Sequence, residues 1–153
     1  MSDTASLRII DPPRRLSKPE RTLLEALLAE QFPGFEALRS QAVVTRVRGE
    51  CSCGCGSIVL TLEHDPSNRA EVLGRIPVEA TSTNRTGEHV PIDVLLHVVD
   101  GYLDELEIVN YDQSRAPYPN PESLKIFVND EDFATGRVSW VRDPESLVRE
   151  KLT

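Results

Sequence analysis

The sequence predicts an α+β fold: an N-terminal helix, or two, then an antiparallel β-meander of about five strands, then short C-terminal helices. Three observations lead there. Residues 17–34 carry a capped helix with one apolar stripe. Residues 43–109 hold several segments in which apolar and β-branched residues alternate. Two of those segments flank an Asp100-Gly101 pair, a strong turn signal. The chain has 153 residues, 39% apolar and 27% charged, a length and mix that fit one soluble globular domain. We read residues 1–13 as an N-terminal extension and residues 14–153 as a single domain.

The first helix is the clearest element. Ser17 and Glu20 make a capping box, in which each side chain meets the other's backbone N–H. Pro19 sits in the first turn, where its missing N–H costs nothing. Leu23, Leu24, Leu27 and Leu28 recur at helical spacing, and Pro33-Gly34 stops the run. A second short helix is expected over "FEALRSQA", with Leu38 and Ala42 inward.

Strands follow. "AVVTRVRG" and "SIVLTLEH" alternate and flank the segment that holds Cys51, Cys53 and Cys55, so they read as one hairpin. "EVLGRIPVEATST" reads as the next strand, with Pro77 marking an edge or a bulge. In "PIDVLLHVVDGYLDELEIVNYD" the loop length decides which side chains share a face. A two-residue loop pairs Val99 with Tyr102 and sets Leu96 opposite Glu105 and Val94 opposite Glu107. A three-residue loop sets Val98 opposite Tyr102, Val94 opposite Leu106 and Ile92 opposite Ile108, which keeps one face dry. We expect the second register. The other face then carries Asp93, His97, Glu105 and Glu107 with Leu95, Val99, Leu103 and Val109. Further on, "NPESL" and "DPESL" each place a capping residue, Asn120 or Asp143, before Pro and Glu. Two short helices are expected to begin there, with "GRVSWV" as a strand between them.

Net charge is −8, unevenly spread. Residues 1–60 hold eight basic and seven acidic residues; residues 61–153 hold nine and eighteen. No Lys or Arg lies between Arg85 and Arg115, a span that contains Glu88, Asp93, Asp100, Asp104, Glu105, Glu107 and Asp112. Such a surface repels phosphate, so no nucleic-acid partner is expected; it would attract a basic protein. No apolar run reaches the roughly 20 residues of a membrane helix. No secretory leader pattern opens the chain, which reads as cytoplasmic with reduced thiols. Exposed strand edges are compatible with a monomer or a homodimer.

Chemistry-bearing residues are few. Cys51, Cys53 and Cys55 are spaced so that an extended chain presents three sulfurs on one side, and Gly54 and Gly56 would let it curl. Zinc usually takes four ligands, and the only imidazoles are His64, His89 and His97. Cu(I) accepts fewer thiolates and suits the run better. A Gly-rich turn using Cys as a small residue is the plain structural reading. Asp93 and His97 lie four apart on one strand face near Glu105 and Glu107, an arrangement open to acid–base or cation chemistry. No nucleophile elbow, phosphate loop, dinucleotide glycine pattern or H-E-x-x-H motif appears, so no cofactor and no enzymatic activity are expected.

The run "RRLSKPE…LL…FPG…L…Q", then "GSI", "IPVEA" and "PIDVLLHVVDGYLDELEI", resembles an uncharacterised bacterial domain family over about Arg14 to Val128. That resemblance implies no catalytic residues, and its pattern rests on the "GSI" strand start rather than on the cysteines. "DGYLDELEI" is also similar to segments of small bacterial immunity-like proteins. The reading is therefore a protein-binding, immunity-like domain that meets a basic partner through Asp93, His97, Asp104, Glu105 and Glu107. The alternative is a metal-binding or thiol-based regulatory protein holding Zn or Cu at Cys51, Cys53 and Cys55.

Overall fold

The computed structural model describes residues 7–82, 92–110, 118–129, 140–143 and 148–151, the last two segments by backbone alone. It is α+β, with an antiparallel sheet and two helices. The elements in chain order are β1 (Leu7–Arg14), α1 (Lys18–Leu28), α2 (Phe35–Val44), β2 (Arg46–Cys51), β3 (Ile58–Thr61), β4 (Val78–Ser82), β5 (Ile92–Val99), β6 (Tyr102–Asn110), β7 (Leu124–Val128), β8 (Trp140–Asp143) and β9 (Val148–Lys151).

The strands form one sheet in the order β1-β2-β3-β6-β5-β4-β7-β8-β9. This departs from the expected five-strand meander in number and in path. β3 pairs with β6 rather than with β4, and β4 lies between β5 and β7. The chain crosses from one half of the sheet to the other after β3. Pro77 consequently sits just before an interior strand, where its carbonyl accepts the Asn129 N–H at 2.8 Å; the edge expected from that proline is not there. Residues 7–14, which carry no clear alternation, pair with β2 through a ladder broken between Ile9 and Arg14. The helix expected at Asn120 is a single 3-10 turn, Pro121–Ser123, that runs straight into β7. Asn120 does cap it, its side chain accepting from the Glu122 N–H. Where the second helix is expected, β8 ends at Asp143 and β9 begins at Val148; residues 144–147 lie outside the described ones.

α1 forms as its sequence dictates. The Glu20 N–H donates to Ser17 Oγ at 3.3 Å and the Ser17 N–H to Glu20 Oε1 at 2.8 Å. Arg14 Nη1 and Nη2 grip the two Glu20 oxygens at 2.9 Å each, tying β1 to the helix start. Leu23, Leu24, Leu27 and Leu28 are buried, each worth about 1.5–3 kcal/mol of transfer free energy. In α2, Leu38 and Ala42 point inward as expected. Both helices join one core with Val47, Leu60, Val78, Val94, Leu96, Leu106 and Ile126, all from the same sheet face. No described helix packs on the opposite face, where strand positions run from exposed (Arg48, Glu79) through half-buried (Leu95, His97) to buried (Tyr102).

The β5–β6 hairpin corrects the expected register. Asp100 (φ 54°) and Gly101 (φ 85°) form a two-residue loop with both residues left-handed, and Val99 pairs with Tyr102. A register shift follows: Val98 pairs with Leu103, but His97 pairs with Glu105. Asp104 is thus the extra residue of a β-bulge. The bulge flips the parity of β6, so Leu96 meets Leu106 and Val94 meets Ile108 inside the core. The dry face is achieved by a bulge after a short loop, not by a longer loop. Leu103, expected on the outer face, is buried in the core.

A buried side chain from α2 locks this hairpin. Gln41 is fully buried. Its Nε2 donates to the carbonyls of Asn68 and Gly101, each at 2.8 Å, and its Oε1 accepts the Leu103 N–H at 2.9 Å. One amide thus bonds two backbone groups at the turn and a third, on Asn68, in the connection between β3 and β4.

Candidate functional site

The outer face of the sheet brings four of the five expected partner-binding residues together. Strand alternation sets Asp93, Leu95, His97 and Val99 on one side of β5, and the bulge sets Glu105, Glu107 and Val109 beside them. Asp93 pairs with Val109, Leu95 with Glu107, and His97 with Glu105. β4 adds Glu79 opposite Leu95, and β7 adds Phe127 opposite Glu79. The fifth residue, Asp104, stands at the bulge and reaches Arg75 Nη2 at 3.6 Å.

His97 is held at both nitrogens. Arg75 Nε donates to its Nδ1 at 3.0 Å, which fixes the proton on Nε2, and Nε2 lies 2.7 Å from Glu107 Oε1. Both imidazole nitrogens are therefore engaged by side chains of this chain. Glu105 is held above the usual carboxylate range. Burial is the largest cause; the neighbouring His97 and the Arg75 guanidinium oppose it, and the like charges of Glu107 and Asp104 add to it. Burial and the Asp93 charge raise Glu79 in the same way. Sequence reasoning missed Arg75 and Glu79. Glu79 could have been found from the alternation in "VEATS". Arg75 could not, because it precedes its strand and reaches His97 only through the β3–β4 crossover.

The second site is the turn between β2 and β3. Only Cys51 belongs to a strand; Cys53 and Cys55 lie in the turn. All three are free thiols, Cys53 exposed and the others half-buried. Their sulfurs lie within 4.8 Å of one another, and Cys51 Sγ is 2.6 Å from Cys53 Sγ. Cys51 and Cys53 are hydrogen-bonded to each other through their sulfurs. Burial, then the hydrogen bond to Cys53, pushes Cys51 up to about 12, while the hydrogen bond from Cys51 holds Cys53 below its ordinary value. Ser57 anchors the loop. Its Oγ accepts the Ile108 N–H of β6 at 2.8 Å and the Cys55 thiol at 3.3 Å, and its carbonyl accepts the Cys51 N–H at 3.1 Å. Tyr118 closes the far side, its hydroxyl donating to the Gly56 carbonyl at 2.5 Å. Gly56 has φ +97°, and a Cβ there would lie 2.5 Å from Tyr118 Cε1, so only glycine fits beneath the ring.

A family model described as "Domain of unknown function (DUF6984)" matches residues 13–117. The chain belongs to this family. The DUF6984 segment contains both helices, β2 to β6, the cysteine turn and the charged residues of the β5–β6 hairpin. Neither a curated protein nor a solved structure matches the chain. Among the described residues, no helix is long and apolar enough to cross a membrane.

Proposed function

We propose that this DUF6984 chain is a non-enzymatic, cytoplasmic protein-binding module whose outer sheet face receives a lysine- or arginine-rich segment of another protein. The observation that carries the reading is the crowding of Glu79, Asp93, Glu105 and Glu107 on adjoining strands, with Glu79 and Glu105 held above the usual carboxylate range. Charge is disfavoured at Glu105 because burial strips water, and at both positions because neighbouring anions repel. A cationic side chain seated between them relieves the repulsion and gives each carboxylate an opposite charge. The spacing suits a polypeptide. Same-face neighbours on one strand are about 7 Å apart and adjacent strands about 4.8 Å. Half-exposed Leu95, Val109 and Phe127 supply apolar contact between the charges. Neutralisation of a basic toxin is the concrete form of this role, supported by the similarity of "DGYLDELEI" to immunity-like proteins.

Titration of the labelled protein with a Lys/Arg-rich peptide, followed by NMR, tests it. Shift changes should concentrate on β4, β5 and β6, weaken with salt, and vanish in Glu79→Lys/Glu105→Lys. Changes scattered over the molecule, or unaltered by the double substitution, would sink the proposal.

A further inference from the structure

We infer that Cys51, Cys53 and Cys55 form a three-thiolate site for a single Cu(I) ion. The turn gathers the sulfurs by backbone shape. Cys51 ends β2, with its N–H bound to the Ser57 carbonyl and its own carbonyl accepting the Gly54 N–H at 3.4 Å. Gly54 (φ 84°) and Gly56 (φ 97°) are both left-handed and turn the chain back on itself. Residues at i, i+2 and i+4, which an extended chain would string out over about 13 Å, therefore surround one point, with all three sulfurs within 4.8 Å of one another.

That size fits a metal ion. Thiolate sulfurs bind at about 2.3 Å, so three around one ion in a plane sit about 4.0 Å apart. The Cys51–Cys53 pair, now at 2.6 Å, opens by roughly 1.4 Å to reach that spacing, and Cys53 is exposed and on the turn. Cys55 is already oriented: the Ser57 N–H points at its sulfur at 3.5 Å, and the Ser57 hydroxyl is 3.3 Å away. The N–H can donate to the thiolate once the proton has left; the hydroxyl, which donates to the Ile108 carbonyl at 3.3 Å, must turn to do the same. Outer partners of this kind fix ligand orientation.

The ligand set selects the ion. Structural zinc takes four protein ligands, and among the described residues the cluster offers three. His97 is bound to Arg75 and Glu107. His64 stacks on Tyr102 with ring centroids 3.9 Å apart. A soft monovalent ion satisfied by three thiolates is Cu(I). Binding breaks up to three S–H bonds and releases those protons to solvent; copper remains Cu(I) and no sulfur is oxidised.

The test is an anaerobic titration of the reduced full chain with Cu(I), in competition with the chelator bathocuproine disulfonate. One equivalent of Cu(I) should transfer to the protein and produce an ultraviolet thiolate-to-copper band. Each of Cys51→Ser, Cys53→Ser and Cys55→Ser should weaken binding beyond the roughly 10–100-fold that outer partners are worth. The urea midpoint of metal-free Cys53→Ser should match the parent, since that side chain is exposed. No transfer from the chelator, or a single Cys→Ser that leaves the affinity intact, overturns the inference. So does a parallel chelator competition in which Zn(II) is held more tightly than Cu(I) and is released by His89→Ala, which would make the site a four-ligand zinc centre.

Discussion

Replacing Gln41 by Leu removes one side chain and strands the turn that carries the outer-face site. The volume is nearly kept, so the cost is polar. The Leu103 N–H and the Asn68 carbonyl lose the Gln41 amide. The Gly101 carbonyl loses one donor but keeps the Ala70 N–H at 2.9 Å. A buried group left unsatisfied costs about 1–3 kcal/mol. Two such groups, with partial access of water to the Asn68 end, give about 2–4 kcal/mol. With a urea slope of about 2 kcal/mol/M for a chain of this size, the unfolding midpoint should fall by about 1–2 M at unchanged slope. Gln41→Glu keeps the acceptor for Leu103 but sets an anion against two carbonyls. It should be at least as damaging at neutral pH and recover partly in acid, where the protonated form can donate again. Circular dichroism in urea measures both. A midpoint within about 0.3 M of the parent for Gln41→Leu, at unchanged slope, would refute the claim that this amide holds the hairpin.

Other outcomes follow from individual groups. Burial alone would raise Glu20, but the hydrogen bonds from Arg14 and Ser17 outweigh it and hold its carboxyl below the usual range. Its contribution is therefore present above the unfolded carboxylate value and is lost as pH falls through the folded one. Glu20→Gln should cost about 1 kcal/mol at pH 7, discounted for the partial exposure of Arg14, and nothing in strong acid, as read from urea midpoints across pH. Glu105 has the opposite sign: its folded value is raised, so its protonated form favours the fold and that stability is lost as pH rises. Glu105→Gln should therefore raise the urea midpoint at pH 7, with the gap closing as pH falls below the carboxylate range. Gly101→Ala places a Cβ at φ +85°, 2.6 Å from the Ala70 carbonyl oxygen. It should lose at least about 1–3 kcal/mol in thermal unfolding.

Local features of this fold are legible in the sequence; non-local ones are not. Helix α1 follows directly from Ser17, Glu20 and four leucines, because a capping box and an apolar stripe are complete within one segment. The strands of the β5–β6 hairpin are equally visible. Their register is not read directly: the bulge at Asp104 shows only as two polar residues in a row between Leu103 and Leu106, a break that an altered loop length can also explain. The β3–β6 pairing links residues nearly fifty positions apart, and nothing in either strand's composition names its neighbour. A helix is not formed at Asn120 because a capping residue followed by Pro also begins a 3-10 turn. At the cysteines the residue set is legible and its geometry only in part. Strand alternation is one reason to expect convergence, yet two left-handed glycines produce it. Outer-face membership follows from alternation for Asp93, His97, Glu105 and Glu107, but the Arg75 that engages His97 arrives from a crossover.

Strand β7 bears on where the molecule can be cut. The family match ends at residue 117, while β7 spans Leu124–Val128 and pairs with all five residues of β4. A polypeptide trimmed to the family limits would leave β4 with a bare rim of unpaired amides and carbonyls, and would uncover Val78 and Ala80, now 0% and 4% exposed. Such a rim templates pairing with other chains. The trimmed chain should sediment as oligomers or precipitate, whereas one extended through residue 129 recovers the missing partner strand. Sequence similarity here stops short of a strand that the sheet needs.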